Sequence, residues 1–109
     1  LARTIVDALE EKKGEDIILL DIQDIATVAD FFVICSGSSE RMLDALLDAV
    51  VERVRSNHQI KPKTEGIPED GWLLADYGDL VVHLFSPDQR DYYQLEELWS
   101  DGKILLHLQ

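Results

Sequence analysis

Apolar residues recur at helical spacing from the first position: Leu1, Ile5 and Leu9, with Ala2 and Val6, share one stripe, and Lys12, Lys13 and Gly14 supply a cationic last turn and a stop. The spacing predicts a first helix. "DIILLDI" (16–22) and "DFFVICSG" (30–37) are short apolar runs rich in β-branched and aromatic residues, bounded by acids and Gly. They predict strands buried on both faces. After Gly37, Ser38 or Ser39 caps a helix running to about Asn57, with Leu43, Leu46, Leu47, Val50 and Val54 as its core stripe.

"QIKPKTEGIPEDG" (59–71) has two Pro, two Gly and no periodicity, and predicts an exposed loop. Trp72 to Ala75 and Leu80 to Phe85 then form a hairpin around Asp76-Tyr77-Gly78-Asp79. Ser86-Pro87-Asp88-Gln89 starts a helix, with a Ser cap, Pro at the first helical position and Gln three after the cap. Tyr92, Leu95 and Trp99, with Tyr93 and Leu98, give that helix its apolar side. Asp101-Gly102 breaks it, and "KILLHL" adds a final edge strand. The order α-β-β-α-β-β-α-β predicts an α/β fold, a mixed β-sheet with packed helices.

Charge changes the picture most. Ten Lys and Arg against 22 Asp and Glu give a net charge of -12, which disfavours docking on nucleic-acid phosphates and suits a basic protein partner. On the second long helix, Glu40, Asp44, Asp48 and Glu52 recur every four residues, and their mutual repulsion sums to on the order of 1 kcal/mol. A solvated face accounts for them, with an electrostatic docking stripe as the alternative. At 109 residues the chain is one domain, and its longest apolar run falls far short of the roughly 20 residues that span a bilayer. Cys35, the one cysteine, excludes an internal disulfide and multi-Cys zinc patterns and points to a reducing compartment. That places the protein in the cytoplasm, with an organellar member as the alternative. The chain starts at Leu1 rather than Met, so a targeting segment ahead of it stays open.

Two carboxylates near an aromatic raise the question of metal-assisted phosphoryl transfer. Polymerase-type chemistry needs carboxylates at i and i+2 on one strand, where alternate residues share a face and hold two metals about 4 Å apart. Gly37-Ser38 offers a strand-to-helix turn of the kind that holds phosphates, yet no Asp-x-Asp or Asp-x-Glu follows in a strand. If Tyr77-Gly78 is a two-residue loop, Asp76 and Asp79 sit opposite each other, and His83 sits opposite Trp72. If the loop takes all four residues, the acids cap their own turn. Asp79 and His83 are roughly 13 Å apart along a strand, too far for an acid–base pair. Cys35 reads as a buried inert thiol, and His58 and His107 have no metal-ligand spacing. The sequence therefore predicts no catalytic residue, no metal site and no cofactor, with residual nucleotide-binding or nucleotidyltransferase-like activity at Gly37-Ser38 as the alternative. It favours binding: Trp72, Tyr77, Arg90, Tyr92, Tyr93 and Trp99 cluster in the last third, and aromatics and Arg dominate interface energies. Trp72, Leu74 and Asp76 share one strand face.

"ADFFVICSGSSER" (29–41), "EG" (65–66) and "GWLLADYGDLVVHLFSPDQRDYYQLEELW" (71–99) resemble the ribosomal silencing factor family, also called Iojap-like, over essentially the whole chain. One departure is at "DIATVADFF", where that family usually carries a Ser near Ala26 or Thr27. The resemblance implies a nucleotidyltransferase-like fold without its catalytic carboxylates. It implies a repressor that docks on the large ribosomal subunit through ribosomal protein L-fourteen, sterically blocks joining of the small subunit, and is often a homodimer when free. Carried onto this sequence, the family's docking surface falls on Trp72, Leu74, Asp76, Tyr77 and Asp79, with His83 and Arg90 beside them.

Overall fold

In a computed structural model describing residues 1–98 and 101–109, the chain folds around one six-stranded sheet. The elements are α1 (Ala2–Glu11), β1 (Glu15–Asp21), β2 (Phe31–Ser36), α2 (Glu40–His58), β3 (Lys63–Glu65), a 3-10 turn (Pro68–Asp70), β4 (Trp72–Asp76), β5 (Leu80–Phe85), α3 (Pro87–Tyr93), α4 (Leu95–Leu98) and β6 (Lys103–Leu108). The strands lie in the order β3-β4-β5-β2-β1-β6. β2 and β5 pair in parallel and the other neighbours antiparallel, so the sheet is mixed, as the element order implied.

Alternation along the strands sends side chains to two different cores. Ile17, Val33, Cys35, Leu73, Ala75, Val82 and Leu84 pack under α1 and α2, against Ile5, Leu9, Leu43, Leu46, Val50 and Val54. The opposite face holds a smaller cluster of Ile18, Leu20, Ile22, Phe32, Ile34, Val81 and Phe85, covered by the 22–30 loop and by Leu95. Trp72 and Leu74 sit at its margin, only partly buried. β1 and β2 are thus buried on both faces, which is why their sequences are continuous apolar runs.

The caps follow the sequence closely. Ser39 Oγ accepts from Met42 N–H at 3.0 Å to start α2, and Ser86 Oγ accepts from Gln89 N–H at 3.2 Å to start α3, with Pro87 in its first turn. Three details differ. The stop after α1 is Lys13, at φ 63, while Gly14 is needed for space: a Cβ there would lie 2.5 Å from Cys35 Sγ. The 59–71 loop contains β3, which pairs with β4, and the 3-10 turn. The last helix is interrupted at Gln94, which adopts the left-handed conformation (φ 45) between α3 and α4. Trp99 and the side chain of Leu98, expected on its apolar side, lie outside the described residues. Among the described residues, no helix is long and apolar enough to cross a membrane.

Candidate docking site

The β4–β5 hairpin closes one residue later than a Tyr77-Gly78 loop would require. Tyr77 N–H donates to Leu80 O at 2.9 Å, Asp76 pairs with Val81, and Gly78 and Asp79 form the tip. Gly78 has φ 91, the positive value that the first central residue of a type II′ hairpin needs. Asp76 and Asp79 therefore do not face each other. Asp76 Oδ1 accepts from Gly78 N–H at 2.8 Å, so its carboxylate caps its own turn. Asp79 leaves its carboxylate in solvent, while its carbonyl accepts from Asp30 N–H (2.7 Å) and Phe31 N–H (3.0 Å), tying the hairpin tip to the start of β2.

The same register places Trp72 opposite Phe85 and Leu74 opposite His83, correcting the expected Trp72–His83 alignment. Trp72 and His83 still meet, diagonally: the indole Nε1–H donates to His83 Nδ1 at 3.3 Å. That bond puts the ring proton of His83 on Nε2, which is buried without a partner among the described residues. Phe32 lies edge-on to His83 with centroids 4.7 Å apart, and burial pushes the imidazole down to about 4, partly opposed by the Asp76 charge. His83, 5% exposed, is a neutral support beneath Trp72 rather than a surface group.

Arg90 is placed differently from the surface position given above, being 5% exposed. Its Nε bonds Glu96 at 3.2 Å, one terminal nitrogen donates to Ser36 Oγ at 2.9 Å, and the other lies 3.5 Å from Asp16. The guanidinium joins α3, the residues of α4, the end of β2 and the bulge in β1. It is therefore inaccessible to a partner. Tyr77 turns toward the helix-covered core; its hydroxyl is buried without a partner among the described residues, and burial pushes it up to about 12.

Trp72 and Leu74 remain at the surface, in a groove of about 630 Å³ whose other walls include Tyr93 and the carboxylate residues Glu65, Glu69 and Asp70. Trp72 packs on Phe85 (4.9 Å between centroids) and on Tyr93 (4.6 Å), so its indole is fixed by two aromatic neighbours. The three acids come from the segment read as loop. β3 places Glu65, which pairs with Leu74, and the 3-10 turn places Glu69 and Asp70; between them Gly66, at φ 93, lies against the Trp72 carbonyl where no Cβ fits. A pairing strand of three exposed residues leaves no periodicity in the sequence; the Gly66 turn was the one local signal.

The Gly37-Ser38 turn opens on an adjoining cleft that shares Glu69 and Asp70 with the groove and is also lined by Ser39, Glu40, Ser86 and Asp88 among others. Four carboxylates at the mouth of α2 repel a triphosphate more strongly than one helix N-terminus attracts it. Cys35 is buried, and burial pushes its thiol up to about 12. Among the described residues, no three His, Cys, Asp or Glu side chains come together as metal ligands would.

The class the fold defines is a mixed α/β sheet with α1 and α2 packed on one face and an aromatic, acid-rimmed groove on the other. The profile of the family described as "Ribosomal silencing factor during starvation" matches residues 1–108. The chain is 41% identical over 97 residues to "Ribosomal silencing factor RsfS" of Bacillus subtilis, covering 89% of this chain and 82% of that protein. It is 30% identical over 101 residues to chloroplastic "Protein Iojap" of Zea mays, covering 93% of this chain and 44% of that one. A crystal structure from Chromobacterium violaceum superposes with TM-score 0.86 at 34% identity, covering 91% of this chain and 82% of that one. One from Bacillus halodurans gives 0.77 at 38%, covering 91% and 92%. The chain belongs to the ribosomal silencing factor (Iojap-like) family.

Proposed function

We propose that this chain is a translational repressor: it binds the large ribosomal subunit through ribosomal protein L-fourteen and, by occupying that surface, blocks joining of the small subunit. The observation that carries the docking reading is the half-exposed face of β4, where Trp72 and Leu74 lie on the side of the sheet away from α1 and α2 on a chain of net charge -12. An aromatic anchor beside acids suits a basic protein and repels bare RNA. Blocking needs only bulk, and a body 33 × 33 × 24 Å excludes an opposing ribosomal surface without chemistry.

The docking set is Trp72, Leu74, Asp76 and Asp79, with His83 and Tyr77 acting from beneath and Arg90 holding the scaffold. The fold reads as nucleotidyltransferase-like without its carboxylate pair; β2, Gly37 and α2 supply the phosphate-type turn, and neither hairpin strand has Asp-x-Asp. Free in solution the protein forms a homodimer; the support is β6, an edge strand with Ile104 and Leu105 exposed.

Co-sedimentation with purified large subunits tests this, wild type beside Trp72→Ala and Asp76→Ala, followed by addition of small subunits. Trp72→Ala is expected to weaken binding about 30-fold, roughly 2 kcal/mol, and wild type to reduce joined ribosomes. Unchanged affinity removes Trp72 from the site, and no co-sedimentation of wild type discards ribosome docking.

A further inference from the structure

We propose that the Trp72 groove receives one cationic side chain, an arginine or a lysine, from the basic protein that lies across β4. This rests on the docking reading above and adds the chemistry of its central contact. Asp76 and Asp79 cannot supply that contact well: Asp76 is tied to Gly78 N–H and has Lys63 directly opposite on β3, and Asp79 projects from the tip. The acidic pole of this face lies at the other end of β4, where Glu65, Glu69 and Asp70 rim the groove.

Among the described residues, none of those three forms an ion pair, whereas Arg3, Arg53, Arg55 and Arg90 are each matched to an acid. The floor is Trp72 and Leu74 with Tyr93 beside them, aromatic surface that attracts a cation and accommodates the aliphatic stem of Arg or Lys. Other occupants fit poorly. A phosphate would meet three carboxylates, and an apolar side chain would desolvate them without a partner. A volume of about 630 Å³ admits a whole arginine side chain with water around it. The negative field of the chain draws the same cation in.

The test compares large-subunit binding by wild type, a groove variant (Glu65→Gln, Glu69→Gln, Asp70→Asn) and a stripe variant that removes equal charge from α2 (Glu40→Gln, Asp44→Asn, Asp48→Asn). The groove variant is expected to bind at least about tenfold more weakly and with a shallower salt dependence, while the stripe variant binds like wild type. Equal binding by the groove variant, or an equal loss in the stripe variant, overturns the proposal. If wild type fails to bind subunits, the docking reading falls and a second readout decides the groove. N-acetyl-arginine amide should shift the Trp72 indole N–H resonance, assigned with Trp99→Phe, in wild type and not in the groove variant, and the citrulline analogue should leave it in place. No shift up to about 100 mM overturns the groove as a cation site.

Discussion

Arg90 separates a residue of the docking surface from a residue of the scaffold, so its substitution tests the placement most directly. Arg90→Met keeps the apolar stem and removes three polar links, to Glu96 at 3.2 Å, Ser36 at 2.9 Å and Asp16 at 3.5 Å. Breaking a buried pair by deleting one partner costs about 3–5 kcal/mol when the other charge is stranded. Here stranding is incomplete: Asp16 is 48% exposed and Glu96 25%, so water recovers much of their solvation. That reduces the ionic part to about 2 kcal/mol, and the buried Ser36 hydroxyl adds about 1 kcal/mol for its lost bond. The expected loss of about 3 kcal/mol corresponds to a fall in Tm of roughly 15 °C for a domain of this size.

Urea unfolding and a thermal melt measure the loss; subunit affinity is measured at low temperature, where the variant is still folded. The scaffold reading expects lower stability with affinity within about threefold of wild type, because the guanidinium never reaches the surface. A stability change under about 1 kcal/mol together with a large loss of affinity would refute the reasoning and return Arg90 to the interface. Arg90→Met combined with Glu96→Gln should be less than additive, since both remove the same bond.

His83 titrates at about 4 in the fold against 6.5 when free, so its neutral form is favoured; its full contribution is present above about pH 6.5 and is lost as pH falls toward 4, by up to about 3 kcal/mol. His83→Gln should flatten stability across that window, and an unchanged pH slope would remove His83 as its source. Gly66→Ala must move the Trp72 carbonyl and should cost more than 2 kcal/mol, whereas Gly78→Ala, with open space and only a positive φ, should cost about 1 kcal/mol; equal losses in urea unfolding would contradict the difference. Cys35, with its thiol pushed up to about 12 by burial, should react with a thiol reagent near pH 8 only after unfolding. Rapid labelling of the folded protein would mean the strand end opens locally.

Most elements were legible because their signals are local. The α1 and α2 stripes, the Ser39 and Ser86 caps and the apolar runs of β1 and β2 are written within a few residues of where they act. Features set by distant partners were not. Arg90 looks like a surface cation until Asp16, far away in sequence, and Ser36 surround it. β3 has three exposed residues and exists because β4 offers a free edge. The hairpin register was readable in principle: Gly78 is the residue able to take a positive φ without strain, so placing it first in the turn moves the loop to Gly78-Asp79 and ends the idea of a facing carboxylate pair. The Gln94 break had no glycine to announce it.

These local choices together decide which surface is left to bind. α1 and α2 cover the central strands of one face, so buried residues there such as Val33, Val82 and Leu84 reach no partner. The other face receives only the 22–30 loop and the short last helices, which cover β1, β2 and β5 and stop at Trp72 and Leu74. Tyr93 then packs against Trp72, and the pairing of β3 with β4 brings Glu65 alongside Leu74. A sheet of six strands with helices enough for one and a half faces thus leaves its opening at β4. Glu65, Glu69 and Asp70 line that opening, whereas the Asp76 carboxylate caps its own turn and that of Asp79 projects into solvent at the tip, so the proposed cation contact falls to the groove acids even though Asp76 and Asp79 stand closer to the eye in the sequence.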